Sequence, residues 1–388
     1  MQPAAQAMQA LGAKPAAAAV AAPPPINFPD AVTRAGKRLF EDAGGSLGST
    51  PRDLIIDPLI DGNTGAQTKS TVEMGAKLAA MVKAEYPLWT VKPLTREILS
   101  KSPLLLIGTL TPVSTTQEKE ATNDAFRIWL TVVDLKTGRI VAKTLDRATP
   151  TAVDAEPTPF FRDSPTWHKD ATVNAYINSC QATSKVGDPV QPTYLIRLPA
   201  AAVLNEAIIA YTENRLSDAY QLYREASSVA DAGDLRVLNG LYLTSWRLGK
   251  KEEAVAAFGK LVGAGIAAER LPLKLLFVPG STNFVTTAGL PEQYPIWLKA
   301  VREQTLARDV CLNVVGHTSH TGSAEYNDAL SLRRAIAIKE RLVASVPALS
   351  SKLTTAGKGW RENLIGLGSD DLRDALDRRV EFQVVSCR

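Results

Sequence analysis

Apolar positions along this chain alternate between a helical period and a period of two. Ala31–Ala43 (AVTRAGKRLFEDA) and Ser70–Glu85, with Val72, Leu78, Ala79 and Val82, carry helical spacing. Asp53–Ile60 and Leu88–Val91 read as strands, and Leu104–Thr111 (LLLIGTLT) is apolar enough for the middle of a sheet. Phe126–Asp134 and Arg139–Asp146 predict a hairpin around Lys136, Thr137 and Gly138. In it Phe126, Ile128, Leu130 and Val132 take the buried face, and Arg127, Trp129 and Thr131 the other. The mixed pattern returns near the C-terminus. Strands are expected at Leu275–Val278, Val310–Val315 and Arg379–Val385, and helices at Pro291–Leu306 and Ala324–Val343. A Gly-rich excursion, AGKGWRENLIGLGSDD, precedes the last strand.

Residues 201–262 are helical throughout and repeat. Ala207, Asn214, Ala219, Tyr223 and Ala226 recur about 35 positions later as Tyr242, Gly249, Ala254, Phe258 and Leu261. Small residues at 219 and 254 allow helices to cross closely, with the aromatics beside them. This resembles a pair of tetratricopeptide repeats, whose period is about 34 residues. Two repeats bury little alone, which predicts packing against a neighbouring domain.

Composition narrows the classes. Of 388 residues 45% are hydrophobic and 22% charged, as in soluble globular domains. A net charge of +4 argues against a general nucleic-acid binder. No transmembrane segment is expected, since no apolar run approaches the length of a bilayer span without a charge. The Ala/Pro/Gln-rich start reads as a disordered tether, without the basic start and leucine-rich centre of a signal peptide. The three cysteines, Cys180, Cys311 and Cys387, have no zinc spacing. Cys311, inside a strand, is expected as a buried thiol, leaving Cys180 and Cys387 as the pair an oxidising compartment would join.

Several chemical motifs fail on physical grounds. GNTGAQTKST (62–71) lies between strand and helix like a phosphate-binding loop, but Thr68 stands where glycine must precede the lysine, so a polar turn with a helix cap is expected. Asp163, Ser164 and His168 invite a hydrolase reading; a local run of this kind more often builds a turn, because triad members converge from separate elements. His317 and His320 lack the further ligands of a metal site, and no cofactor motif is present.

Two longer resemblances organise the ends. IIDPLIDG, LLLIGTL and LTVVDLKTGRIVAKT are similar to the small α/β domain of curli-secretion, flagellar and penicillin-binding-protein-activator envelope lipoproteins. LNVVGHTSHTGSAEYNDALSLRRAIAIKERL, followed about forty residues later by ALDRRVEFQVV, resembles the OmpA-like peptidoglycan-binding domain. That family holds the diaminopimelate of peptidoglycan stems with the Asp of a Gly-His-Thr-Asp motif and a helix Arg, helped by a loop Thr and a helix Asn. The resemblance puts these roles on Ser319, Arg334, Thr321 and Asn327. Asn327 and Arg334 are seven residues apart, two turns along one helix face, whereas Arg333 is rotated about 100° away. A guanidinium fork suits a carboxylate. Ser319 in place of Asp removes a charge-assisted contact to the ligand ammonium, a loss of about 1.5–3 kcal/mol or roughly ten- to hundred-fold in affinity. In the final motif Asp377 replaces Asn before Arg378 and Arg379, and is a candidate to pair with one of them or to stand in for the missing acid.

The expected fold class is therefore multidomain α/β. A tether (1–27) leads into an N-terminal α/β domain (28–150), an aromatic connector (151–200), a central α-helical tetratricopeptide-like pair (201–265) and a C-terminal OmpA-like α/β domain (270–388). The resemblances imply a non-enzymatic envelope protein, in the periplasm and associated with the outer membrane or cell wall. Its implied partners are peptidoglycan and, through the first two folded parts, other envelope proteins. The rival is an assembly scaffold whose OmpA-like domain binds protein instead.

Overall fold

The structure is a computed structural model that describes residues 23–116, 121–167, 169–229, 234–286, 290–369 and 373–387. Most of the expected tether, residues 1–22, lies outside the described residues, and Asn27 already caps the first helix by accepting from Asp30 N at 3.0 Å. The architecture is multidomain α/β.

Helix α1 (Phe28–Leu47) and strands β1 (Arg52–Ile56) and β2 (Ile60–Asp61) lead into α2 (Lys69–Glu85), β3 (Trp89–Lys92), α3 (Arg96–Leu99) and three long strands, β4 (Leu104–Val113), β5 (Ala125–Asp134) and β6 (Arg139–Ala148). They form a sheet ordered β3-β1-β4-β5-β6, with β2 paired to β4. The single strand expected at Asp53–Ile60 is broken at Asp57-Pro58. Proline has no N–H for the ladder, and the Asp57 carboxylate turns inward to accept from the Tyr194 hydroxyl at 2.5 Å. Thr68 caps α2 through a reciprocal box with Thr71, so the 62–71 stretch ends in a helix cap.

The sheet is covered on both faces, not on one. Phe126, Ile128, Leu130 and Val132 pack with α1 and α2. The rows holding Leu105, Ile107, Val133 and Ile140 are covered by α5 (Ala171–Cys180) and the first half of α6 (Pro192–Thr212). α6 is long and apolar enough to cross a membrane by composition, yet Tyr194, Leu198 and Ala202 serve this core while Leu204, Ala207 and Tyr211 serve the next.

Helices α6 and α7 (Leu216–Val229), then α8 (Leu235–Arg247) and α9 (Lys251–Ala267), make two helical hairpins. Ala219, Tyr223, Ala254 and Phe258 are fully buried within them. A Cβ at Gly240 would stand 2.1 Å from the Tyr223 ring, so the glycine is what lets these helices meet. Phe160 of the short α4 (Pro159–Asp163) stacks on Tyr223 at 5.7 Å.

The second sheet is ordered β7-β10-β8-β9, from β7 (Arg270–Leu276), β8 (Cys311–Gly316), β9 (Leu353–Gly357) and β10 (Arg379–Val385), with α11 (Ala324–Ser345) packed on it and α10 (Leu290–Ala307) against α9 and α11. β7 begins earlier than expected, and β9, pairing parallel to β8, was not anticipated. The expectations for cysteine are corrected. Cys311 and Cys387 form a disulfide and Cys180 is the buried thiol. Antiparallel pairing sets Val385 opposite Cys311, and the chain two residues on returns Cys387 to a Cα–Cα distance of 5.2 Å. Cys180 ends α5 inside the first domain's second core, where burial pushes its thiol pKa up.

Candidate functional site

The turn after β8 is built on close backbone approach. A Cβ at Gly316 would lie 1.9 Å from Ser331 O, and one at Gly357 would lie 2.5 Å from Ser331 Oγ and 2.7 Å from Leu332 N. The two glycines seat α11 against the ends of β8 and β9. Thr318 N donates to Gly359 O and His317 N to Arg379 O, both at 2.9 Å, fixing where the 317–322 turn leaves the sheet. Ser323 then caps α11, its Oγ accepting from Tyr326 N.

Three of the expected site residues come together here. Ser319 is buried, with Oγ 3.5 Å from Thr321 Oγ1. Asn327, also buried, donates through Nδ2 to Thr321 O at 2.7 Å and Ser323 O at 3.0 Å. Its amide holds the turn on the first helical turn of α11.

Arg334 lies two turns further along the same face, but it does not face an open hollow. The residue is 0% exposed. Nε donates to Ser281 O at 2.9 Å, Nη1 to His317 O at 2.8 Å and Nη2 to Val278 O at 3.1 Å. The guanidinium also sits 5.2 Å from the Phe277 ring centre. A planar fork with five N–H groups can satisfy several carbonyls at once, and here it ties the exit of β7 to the 317–322 turn. The charge stands beneath the turn as a fixed feature of the fold.

The Asp377 and Arg379 side chains are committed elsewhere than the 317–322 turn. The Asp377 carboxylate is fully buried and accepts from Leu364 N (2.6 Å), Ile365 N (3.1 Å) and Gly366 N (2.8 Å). Burial pushes its pKa up to about 6, against the Arg379 charge and the backbone N–H groups. Arg379 Nε donates to Glu381 Oε1 at 2.6 Å and Nη2 to Glu362 O at 3.0 Å, while Arg378 Nε reaches Phe277 O. The physical reason is local: the Gly-rich excursion needs acceptors for its backbone N–H groups, and the acid before the arginine pair supplies them. Asp374 does the same for Leu367 N and Ser369 N.

The loop so shaped is itself a contact that sequence reasoning missed. Asn63 Nδ2 donates to Leu364 O and Asn123 Nδ2 to Ile365 O, both at 2.7 Å, and Asn123 N donates to Gly366 O at 2.9 Å. Leu367 packs against the core of the first sheet. Gly366 has φ +67°, and a Cβ there would meet Asn123 Nδ2 at 2.8 Å. Repeated glycines between two acids were the available signal.

Elsewhere the expected chemistry resolves into structure. Ser164 is buried and its hydroxyl donates to Phe160 O at 2.7 Å, closing α4; Asp163 accepts from the Tyr211 hydroxyl at 2.9 Å. His168 lies outside the described residues. His317 is buried at the strand end with Nδ1 4.0 Å from Glu362 Oε2, and the His320 ring lies against Trp360, tilted by 37° with centroids 4.4 Å apart. Among the described residues no three His, Cys, Asp or Glu side chains cluster as a metal site would require.

The OmpA family model matches residues 276–374. These span part of β7, β8, β9, α10, α11 and the 317–322 turn. No curated protein matches the chain. Among solved structures it is similar to the cell wall anchor of the T6SS from Pseudomonas aeruginosa, at 19% identity and a TM-score of 0.25, over 34% of this chain and 96% of that one.

Proposed function

We propose that this chain is a non-enzymatic cell-envelope protein whose C-terminal domain docks on peptidoglycan. The observation that carries the reading is the OmpA family match over 276–374. The OmpA-like family binds diaminopimelate stems, and the reading transfers that chemistry to the 317–322 turn. There Ser319 and Thr321 offer hydroxyls beside the α11 N-terminus, whose free N–H groups and dipole favour an acidic ligand head. Arg334 acts from below, as a fixed positive charge that ties the His317 carbonyl of the turn to Val278 and Ser281. The Cys311–Cys387 disulfide supports an oxidising, periplasmic location. The first α/β domain and the two helical hairpins, read as tetratricopeptide-like units, are proposed to contact envelope proteins.

The test is co-sedimentation of the full chain with purified diaminopimelate-type sacculi. The wild-type chain pellets, and free diaminopimelate releases it. Thr321→Tyr fills the half-buried mouth of the turn and lowers the pelleted fraction at least several-fold without moving the melting temperature. Pelleting unchanged in that variant and indifferent to diaminopimelate rejects the site.

One observation favours the rival scaffold reading: Arg334 already serves three backbone carbonyls, and Ser319 carries no charge. Under that reading the wild-type chain does not pellet with sacculi at all.

A further inference from the structure

The outer rows of the first sheet carry an unusual pair. β5 and β6 place Arg127 directly opposite Arg147, in one row with Thr111 on β4. Residues so opposed have Cβ atoms about 5 Å apart, and like charges there repel. Both arginines are half-buried, and the Nε of each is out of reach of solvent with no hydrogen-bond partner. Among the described residues no carboxylate forms an ion pair with either. The acid that feels Arg147 is Asp124, and its two oxygens already accept from Thr115 N and Thr115 Oγ1. One row along, Trp129 Nε1 is another buried donor without a partner. Burial first, and the field of Arg147 second, press the Arg127 pKa down.

The Thr109, Thr111 and Thr131 hydroxyls of the same face are likewise buried without a hydrogen-bond partner, whereas the nearby lysine is engaged. Lys143, two rows from the pair on the same face, donates to Ser184 O at 2.8 Å and to Ser184 Oγ at 2.6 Å. Gly62 lies over Thr111, where a Cβ would stand 2.2 Å from Oγ1. The arginine pair sits beyond this covered part, and β6 is the last strand in the sheet order. Buried donors are nearly always satisfied, and one that is not calls for an explanation such as a bound ion. Two facing guanidiniums that keep two positive charges together, with their donors spare, have the complement of an oxyanion.

We infer that the Arg127–Arg147 pair on the outer face of β5 and β6 binds a phosphoryl group. A carboxylate carries one charge and two oxygens, leaving one guanidinium uncompensated. A phosphate monoester carries about −1.5 to −2 at neutral pH and three acceptor oxygens, matching two forks and the indole N–H. The phosphoryl group is either free phosphate or the headgroup of an anionic lipid, and the two sources separate by experiment.

The test uses the full chain in phosphate-free buffer at constant ionic strength, so that general screening does not contribute. Millimolar inorganic phosphate raises the melting temperature of the wild-type chain by a few degrees, by binding the native state alone. Vesicles containing phosphatidic acid are the second probe, against phosphatidylcholine vesicles. Arg127→Gln and Arg147→Gln each relieve the like-charge pair; both hold or raise their melting temperature without phosphate and lose the response to either probe. A wild-type response to phosphate identifies the free anion as sufficient, and pelleting with phosphatidic acid vesicles alone identifies the lipid headgroup. Titration calorimetry of the wild-type chain with phosphate reads binding independently of any variant. No response to either probe, or equal responses in wild type and both variants, overturns the inference.

Discussion

Cys387→Ser is the perturbation whose consequence the C-terminal domain makes easiest to compute. The disulfide joins residues 76 apart, enclosing α11, β9, the 363–369 loop and β10 in one covalent loop. Cross-linking a loop of that length restricts the unfolded chain by about 4.5 kcal/mol in the loop-entropy account, while natural and engineered bonds usually deliver about 2–4. Cys387 is exposed beyond the end of β10, so serine there removes little packing and the loss is dominated by the bond. With a urea dependence of about 2 kcal/mol per molar, a loss of that size moves the midpoint down by roughly 1–2 M. The assay is urea unfolding followed by tryptophan fluorescence, to which Trp297 and Trp360 of this part of the chain contribute, on oxidised wild type, reduced wild type and Cys387→Ser. The reduced and serine forms should coincide, both well below the oxidised form. Coincidence of all three curves would refute the argument, as would peptide mapping that finds Cys180 in the bond.

Two further outcomes follow from buried charges. Lys274 of β7 donates from Nζ to Phe161 O at 2.5 Å and lies 4.6 Å from the Trp167 ring centre, and burial lowers its pKa to about 7. The unfolded chain holds that proton up to about pH 10.4, so between pH 7 and 10 the unfolded state binds more protons and stability rises with pH, by about 2 kcal/mol from pH 7 to 9. Denaturation profiles of wild type and Lys274→Met should therefore diverge over that range, and parallel profiles would refute a neutral buried lysine. Asp377→Ala leaves three backbone N–H groups of the 364–366 loop without their acceptor, at a cost of about 1–3 kcal/mol. Hydrogen exchange at Leu364, Ile365 and Gly366 should speed up, with Asn123 N following because it is bonded to Gly366 O; unchanged exchange would mean the carboxylate does not hold the loop.

How much was legible in the sequence depended on the distance over which each feature is determined. Strand and helix periods are local, and β4, β5, β6, α2, α11 and β10 stand close to where those periods put them. The 317–322 turn and Asn327 were legible for the same reason: a helix start fixes the face seven residues on. Arg334 was placed on the correct face, but its employment was not legible, because two of its three carbonyls come from Val278 and Ser281, more than fifty residues upstream. The Asp377 carboxylate was misread because an acid beside two arginines suggests an ion pair, whereas the competing demand came from unpaired N–H groups in a loop whose shape only the folded chain reveals. The cysteines follow the same rule. Which two meet was decided by the antiparallel register of β8 and β10, a property of two strands separated by a helix, a parallel strand and a loop. Side-chain chemistry alone therefore proposes a site, and the backbone groups that reach the charge first decide whether it remains available. On this chain those groups claimed Arg334 and Asp377 but left the Nε groups of Arg127 and Arg147 unclaimed.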